Sequence, residues 1–206
     1  MATISKPVPA AERGVSGVDR EAAARAIDAF LRAIGRDPAS EPDLVGTGAR
    51  VADAFVDELC DGYAVDVGAL LASSAIAGAG ELVVMRDVAV TTMCPHHLMP
   101  ASGIAVVAFA PRETIVGLGA LVKLVDAFAH RLTLQEQIGE RVVAALMEHV
   151  KPSWAGCRLV LEHGCVVARG ERRHGARAET LALDGIPGAL GGEARAMAHR
   201  ALGIGT

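Results

Sequence analysis

A chain of 206 residues, 51% of them hydrophobic, is long enough to bury one core of ordinary size. Its formal net charge of −4 shows no basic excess of the kind that nucleic acid or an anionic membrane surface would select. Four cysteines in such a length make no disulfide framework, the N-terminal MATISKPVPAAERG lacks the apolar run of a signal peptide, and no apolar stretch reaches the roughly 18 residues of a membrane span, so a cytoplasmic protein with neither nucleic-acid nor membrane partner is expected.

Residues 1–18 mix Pro, Gly, Ser and charges without a period and are expected to form a flexible arm ahead of a single domain, 19–206. From Asp19 the apolar residues Ala23, Ile27, Phe30, Leu31 and Ile34 recur at three- and four-residue steps, which predicts an amphipathic helix stopped by Gly35. After a loop over Pro38 to Asp43, Val51, Ala54, Phe55 and Leu59 predict a second helix from about Thr47 to Leu59. These two helices make up an N-terminal part, 19–62, and the remaining 63–206 form the core of the domain. The alanine- and glycine-rich stretch from Ala64 to Gly80 gives no clear period and is expected to be mostly loop with a short helix. Leu82 to Thr91 and Ile104 to Phe109 are β-branched runs separated by turn residues, and they predict two neighbouring antiparallel strands.

Between those strands lies Met93-Cys94-Pro95-His96-His97-Leu98, where a thiol and two imidazoles crowd together. Thiolate and imidazole are the ligands that Zn²⁺ prefers, and a catalytic zinc commonly keeps three protein ligands and an open position. Pro95 cannot donate to a sheet ladder, so the stretch is placed at a strand end. Gly119 to His149 is helical by period with a break near Arg131, and Thr133-Leu134-Gln135-Glu136 has the pattern of a capping box, in which Thr133 and Glu136 would satisfy each other's free backbone N–H groups. Cys157 to Ala168 alternates and is expected to be one strand, with His163 and Cys165 on a common face. That second cluster supplies another thiol and another imidazole, and two half-sites of matching chemistry suggest one whole site.

Taken together these motifs give the chain a resemblance to GTP cyclohydrolase I, of the tunnelling-fold superfamily. It rests on Thr47 to Arg50, Val84-Met85-Arg86-Asp87 leading into Thr92-Met93-Cys94-Pro95-His96-His97, Gly117-Leu118, Arg131, Gln135-Glu136, and His163-Gly164-Cys165 with Ala168-Arg169-Gly170. The resemblance implies an α+β fold, with an antiparallel sheet bearing helices on one face, joined through its subunits into an oligomeric barrel and stacked into a homodecamer with active sites at subunit interfaces. It implies that Cys94, His97 and Cys165 hold zinc and that His96 and His163 transfer protons beside it. It further implies that Glu136 recognises the guanine edge, that Gln135 is a neighbouring substrate contact, and that Arg169 and Arg50, the latter from a neighbouring subunit, hold the triphosphate. The activity implied is opening of the imidazole ring of GTP at C8 with release of formate, leading to dihydroneopterin triphosphate. Read on their own, Arg50 and Arg169 are solvated surface residues and Glu136 only starts a helix.

The chain departs from that family at the phosphate grip. Gly119-Ala120 stands where the family has Ser-Lys, and Lys123 where it has arginine. Pro95 replaces an acidic residue. Residues 171–177, Glu171-Arg172-Arg173-His174-Gly175-Ala176-Arg177, replace a stretch rich in Ser and Thr; they form either a relocated phosphate cradle or a solvated charged loop. Three readings follow: a zinc hydrolase of GTP, a related hydrolase of a purine, nucleoside or less phosphorylated nucleotide, and a non-enzyme that binds a pterin or a partner around a structural zinc. Two histidines beyond the three ligands weigh against the last, since a structural site is closed by four ligands.

Overall fold

The computed structural model describes residues 17–185 and 193–204, so nearly all of the expected N-terminal arm lies outside the described residues. Helix α1 (Arg20–Ala33) starts where the Asp19 side chain accepts a hydrogen bond from Ala22 N at 2.8 Å, a side-chain cap of the usual kind. It buries none of its own residues and packs on α2 (Thr47–Ala54), which continues through one π-helical turn, Phe55–Leu59. Arg20 joins the pair by pairing with Asp53 at 3.1 Å and with Asp57.

The stretch read as mostly loop is more ordered than its composition suggests. Asp66 caps α3 (Val67–Ser73) by accepting from Ala69 N at 2.9 Å, and β1 (Ala75–Ala77) follows directly. The main sheet begins with β2 (Val83–Met93) and β3 (Pro100–Phe109), paired antiparallel from Val83↔Phe109 to Met93↔Pro100 as the sequence predicts. A bulge at Arg86 and Asp87 interrupts that ladder, and Asp87 adopts φ +53° there. Strand β4 (Thr114–Val116) pairs back on β1 to make a separate two-stranded ribbon. Helices α4 (Leu118–Ala129) and α5 (Gln135–His149) are separated at the predicted break.

Strand β5 (Ala155–His163) pairs with β3, and β6 (Arg177–Asp184) pairs with β5, giving the antiparallel order β2-β3-β5-β6. The expected strand to Ala168 is corrected here: it ends at His163, and Cys165 lies on a one-turn helix, α6 (Gly164–Val167). Side chains of a strand alternate between faces. Ala105, Val107 and Phe109 accordingly join Leu121, Leu124, Val125, Ile138, Val142 and Leu146 of α4 and α5 in the main core, where each buried large side chain contributes about 1.5–3 kcal/mol. Val106 and Ala108 point the other way, toward Trp154 and the C-terminal helix α7 (Glu193–Ala201), through Ala198 and Ala201 with Leu202 behind them. Helices therefore cover part of both faces, where the resemblance had implied one.

Candidate active site

Cys94 leaves the end of β2 and Pro100 begins β3, so the residues between them form the closing loop of a hairpin. The loop is pinned by Cys94 N donating to Met99 O at 3.0 Å and Leu98 N donating to Cys94 O at 2.9 Å. Leu98 adopts φ +49° in this loop, a left-handed conformation that costs a non-glycine residue roughly 1–3 kcal/mol and that Asp87, Lys151 and Arg172 share elsewhere. The Sγ of Cys94 lies 3.8 Å from His97 Nδ1 and 3.9 Å from His96 Nδ1.

Cys165 approaches from the opposite side. Register pairing sets His163 beside Ala101, so β5 ends level with the start of β3, and α6 turns Cys165 into the loop. Gly164 permits the turn: a Cβ there would lie 2.8 Å from Pro100 O. As a result one donor atom each from Cys94, His97 and Cys165 fall within 4.8 Å of one another. A tetrahedral ion with metal–sulfur bonds near 2.3 Å and metal–nitrogen bonds near 2.0 Å sets its ligands roughly 3.5–3.8 Å apart, so this S₂N donor set fits such an ion after a small contraction. Burial first, and then the neighbouring Cys94, push the Cys165 thiol up, while the Arg169 guanidinium pulls against them. Cys157, by contrast, is sealed in the core, where burial pushes its thiol up to about 12, and it takes no part.

The start of α5 is brought to the same place. Met93, the residue before Cys94, makes a parallel bridge with Leu132 and accepts from Thr133 N at 3.3 Å. This stitch corrects the expected capping box. Leu134 is the N-cap of α5 and caps with no side chain, whereas the Thr133 hydroxyl bonds Gln137 Oε1 at 3.1 Å. Glu136 is released by that arrangement: it stands exposed in the first turn of α5, with no hydrogen bond or ion pair among the described residues. The helix dipole favours a carboxylate there. Gln135 turns inward instead and is only 3% exposed, with its Oε1 2.7 Å from His163 Nε2. The Gln135 amide thus makes hydrogen bonds to its own chain at both ends.

The family model for GTP cyclohydrolase I matches residues 23–191. Among curated relatives, a GTP cyclohydrolase 1 from Leifsonia xyli subsp. xyli is 37% identical over 83% of this chain and 90% of its own length. This chain belongs to the GTP cyclohydrolase I family. Relatives of the same name from a Synechococcus strain (35% identical, covering 85% of this chain and 76% of the relative) and from Allorhizobium ampelinum (33%, covering 89% and 90%) agree.

Within this member of the family the remaining expected contacts are dispersed. Arg169 is exposed just beyond α6 and close enough to bias Cys165. Arg50 is exposed at the start of α2, where it donates to Val45 O at 2.9 Å and to Thr47 Oγ1 at 3.0 Å. Lys123 lines a separate cavity of about 200 Å³ with Asp61, Asp126 and His130, which shares no residue with the Cys94, His97 and Cys165 cluster. In that cavity His130 Nδ1 pairs with Asp61 at 2.8 Å, and burial pushes the Asp126 carboxyl up. Ala120 is buried in α4 and Gly119 faces open space, so neither offers a charged side chain to a phosphate. Arg131, which also carries the resemblance, is structural: it is 8% exposed, donates to Ala127 O at 2.7 Å and Gly62 O at 2.9 Å, and stacks over Tyr63 and Phe128. The loop after α6 closes when Gly175 N donates to Glu162 Oε2 at 3.1 Å, a role for Glu162 that no spacing in the sequence announces.

Proposed function

We propose that the chain opens the imidazole ring of GTP at C8, releases C8 as formate and so leads to dihydroneopterin triphosphate, with zinc as its resident metal. The observation that supports this most is the convergence of Cys94, His97 and Cys165, from two elements remote in sequence, beside His163. Zinc held by those three residues would supply a Lewis acid that brings the pKa of coordinated water toward about 7. His96 and His163 serve the proton traffic: water added at C8 opens the ring by breaking one C8–N bond, a second hydrolysis breaks the other and frees formate, and each released nitrogen needs a proton as its bond breaks. Glu136 accepts two hydrogen bonds from the N–H edge of guanine, for which its unpaired carboxylate is suited. Arg169 binds the phosphates from the same chain.

Arg50 and Lys123 lie apart from the metal cluster, which supports the reading that the site is completed by neighbouring subunits of a homodecamer. The unpaired outer edges of β2 and β6, among the described residues, are suited to carry the sheet from subunit to subunit. A second reading keeps the chemistry and changes the substrate, since Gly119 and Ala120 offer the triphosphate no cationic side chain; a purine, nucleoside or less phosphorylated nucleotide is then preferred. Formate release and ultraviolet spectra with GTP, GDP, GMP, guanosine and free purines separate the two. Formate from GTP at the highest kcat/KM supports the first reading, a preference for guanosine or GMP the second, and no formate from any of them defeats both.

A further inference from the structure

Gln135 sits at the junction of α5, β5 and β6, and every polar atom of its side chain is used. Its Nε2 lies 3.2 Å from Leu159 O, 3.0 Å from Ala178 O and 3.1 Å from Thr180 Oγ1. Two of these three are carbonyl oxygens, which can only accept, so the NH₂ end of the amide must face them. Reversing the amide would set its oxygen against both carbonyls in a buried place and lose their hydrogen bonds at once. The end facing His163 is therefore the oxygen, and it too can only accept. At 2.7 Å from Oε1, His163 Nε2 must carry a hydrogen. A neutral imidazole has one N–H, so its lone pair resides on Nδ1, which has no partner among the described residues.

We infer that Gln135 is a positioning residue that fixes the ring of His163 in its Nε2–H tautomer and presents Nδ1 as the nitrogen that works on the substrate. The inference deepens the proposed function and rests on it for the role of His163. It gives the Gln135 side chain a role through His163, because both ends of its amide are held by protein partners.

Ring-¹⁵N histidine spectra of the zinc-loaded full-length protein, taken where the ring shows a single protonated nitrogen, test the geometry without reference to activity. The signal that disappears in His163→Ala should show a protonated Nε2 and an unprotonated Nδ1, and the opposite tautomer would overturn the inference. In Gln135→Met the same ring should exchange between tautomers. That variant should keep its zinc, lose roughly 100-fold in kcat, the scale of a mispositioned acid or base, and hold KM for GTP nearly constant. In a His163→Ala background Gln135→Met should cost nothing more, since both changes remove one unit. A loss in KM, or losses that add, would assign Gln135 to the substrate and sink the inference. Because Gln135→Met strands two buried carbonyls, Thr180→Val provides a milder variant: kcat should fall roughly 2- to 5-fold, the cost of one neutral hydrogen bond, and that loss should vanish without His163. Full formate release by His163→Ala would defeat the proposed role of His163 and the positioning role with it, while leaving the tautomer measurement to judge the geometry alone.

Discussion

Replacing Cys165 with serine exchanges one atom, yet it removes a soft thiolate from a three-donor cluster whose members lie within 4.8 Å of one another. Cys165→Ser should therefore lose both its zinc, by metal analysis, and formate release; full zinc occupancy would remove Cys165 from the ligand set. The histidines outside that cluster should behave oppositely. His96→Ala and His163→Ala are expected to retain zinc while turnover falls roughly 100-fold or more, and wild-type rates in both would leave proton transfer to other groups. His96 and His97 sit side by side with their Nδ1 atoms 3.9 and 3.8 Å from the Cys94 thiol, so zinc retention in His96→Ala also tests which of the two is the ligand.

At the scale of elements, the one-turn helix α6 decides whether the second thiol reaches the first. Gly164→Ala sets a Cβ 2.8 Å from a backbone carbonyl, that of Pro100, which cannot swing aside as a side chain would. The displaced turn should weaken zinc binding by about 10-fold or more in a competition titration with far-ultraviolet dichroism unchanged; unaltered affinity would show that the turn yields without moving Cys165. This element was not legible in the sequence, because Val166 and Val167 prolong a β-branched run and only packing on Pro100 bends the chain. The capping box failed for a related reason: Thr133 has the right spacing, but its N–H is drawn to Met93 O, and the helix begins a residue later. Strand β6 escaped notice since the arginines before it mask the alternation of Ala178 to Leu183. By contrast α4, α5 and the β2–β3 hairpin follow their hydrophobic periods closely, as elements with one buried face must, and α1 follows its own although none of its residues is fully buried. The link between Gln135 and His163 joins residues with no local spacing to reveal it.

For the molecule as a whole, the open question is where the substrate's negative charge is held. Loss of a lysine removes a charge-assisted contact of about 1.5–3 kcal/mol, or roughly 10- to 100-fold in affinity. Arg172, Arg173 and Arg177, just beyond α6, are exposed and have no ion pair among the described residues, so they are the candidates to replace it. If one of them does, neutralising that arginine, whether Arg172, Arg173 or Arg177, should raise KM for GTP and spare any activity on guanosine. If they do not, Ala120→Lys should improve GTP turnover. A GTP preference indifferent to all four changes would place the phosphates elsewhere.

The convergence of Cys94 and Cys165 also has a meaning for the unfolded chain. The two residues are about 70 positions apart, so an ion that grips both ties off a long loop, and the chain-entropy model for a cross-link of that span gives roughly 4 kcal/mol. The hairpin loop and α6 can be clasped only after β3 and β5 have paired, which places metal binding late in folding. Stripping the ion with a chelator should therefore lower the Tm and speed unfolding while leaving the refolding rate nearly unchanged, as stopped-flow fluorescence would show. A metal held by Cys94, His97 and Cys165 would then also be the latch that keeps the finished fold shut.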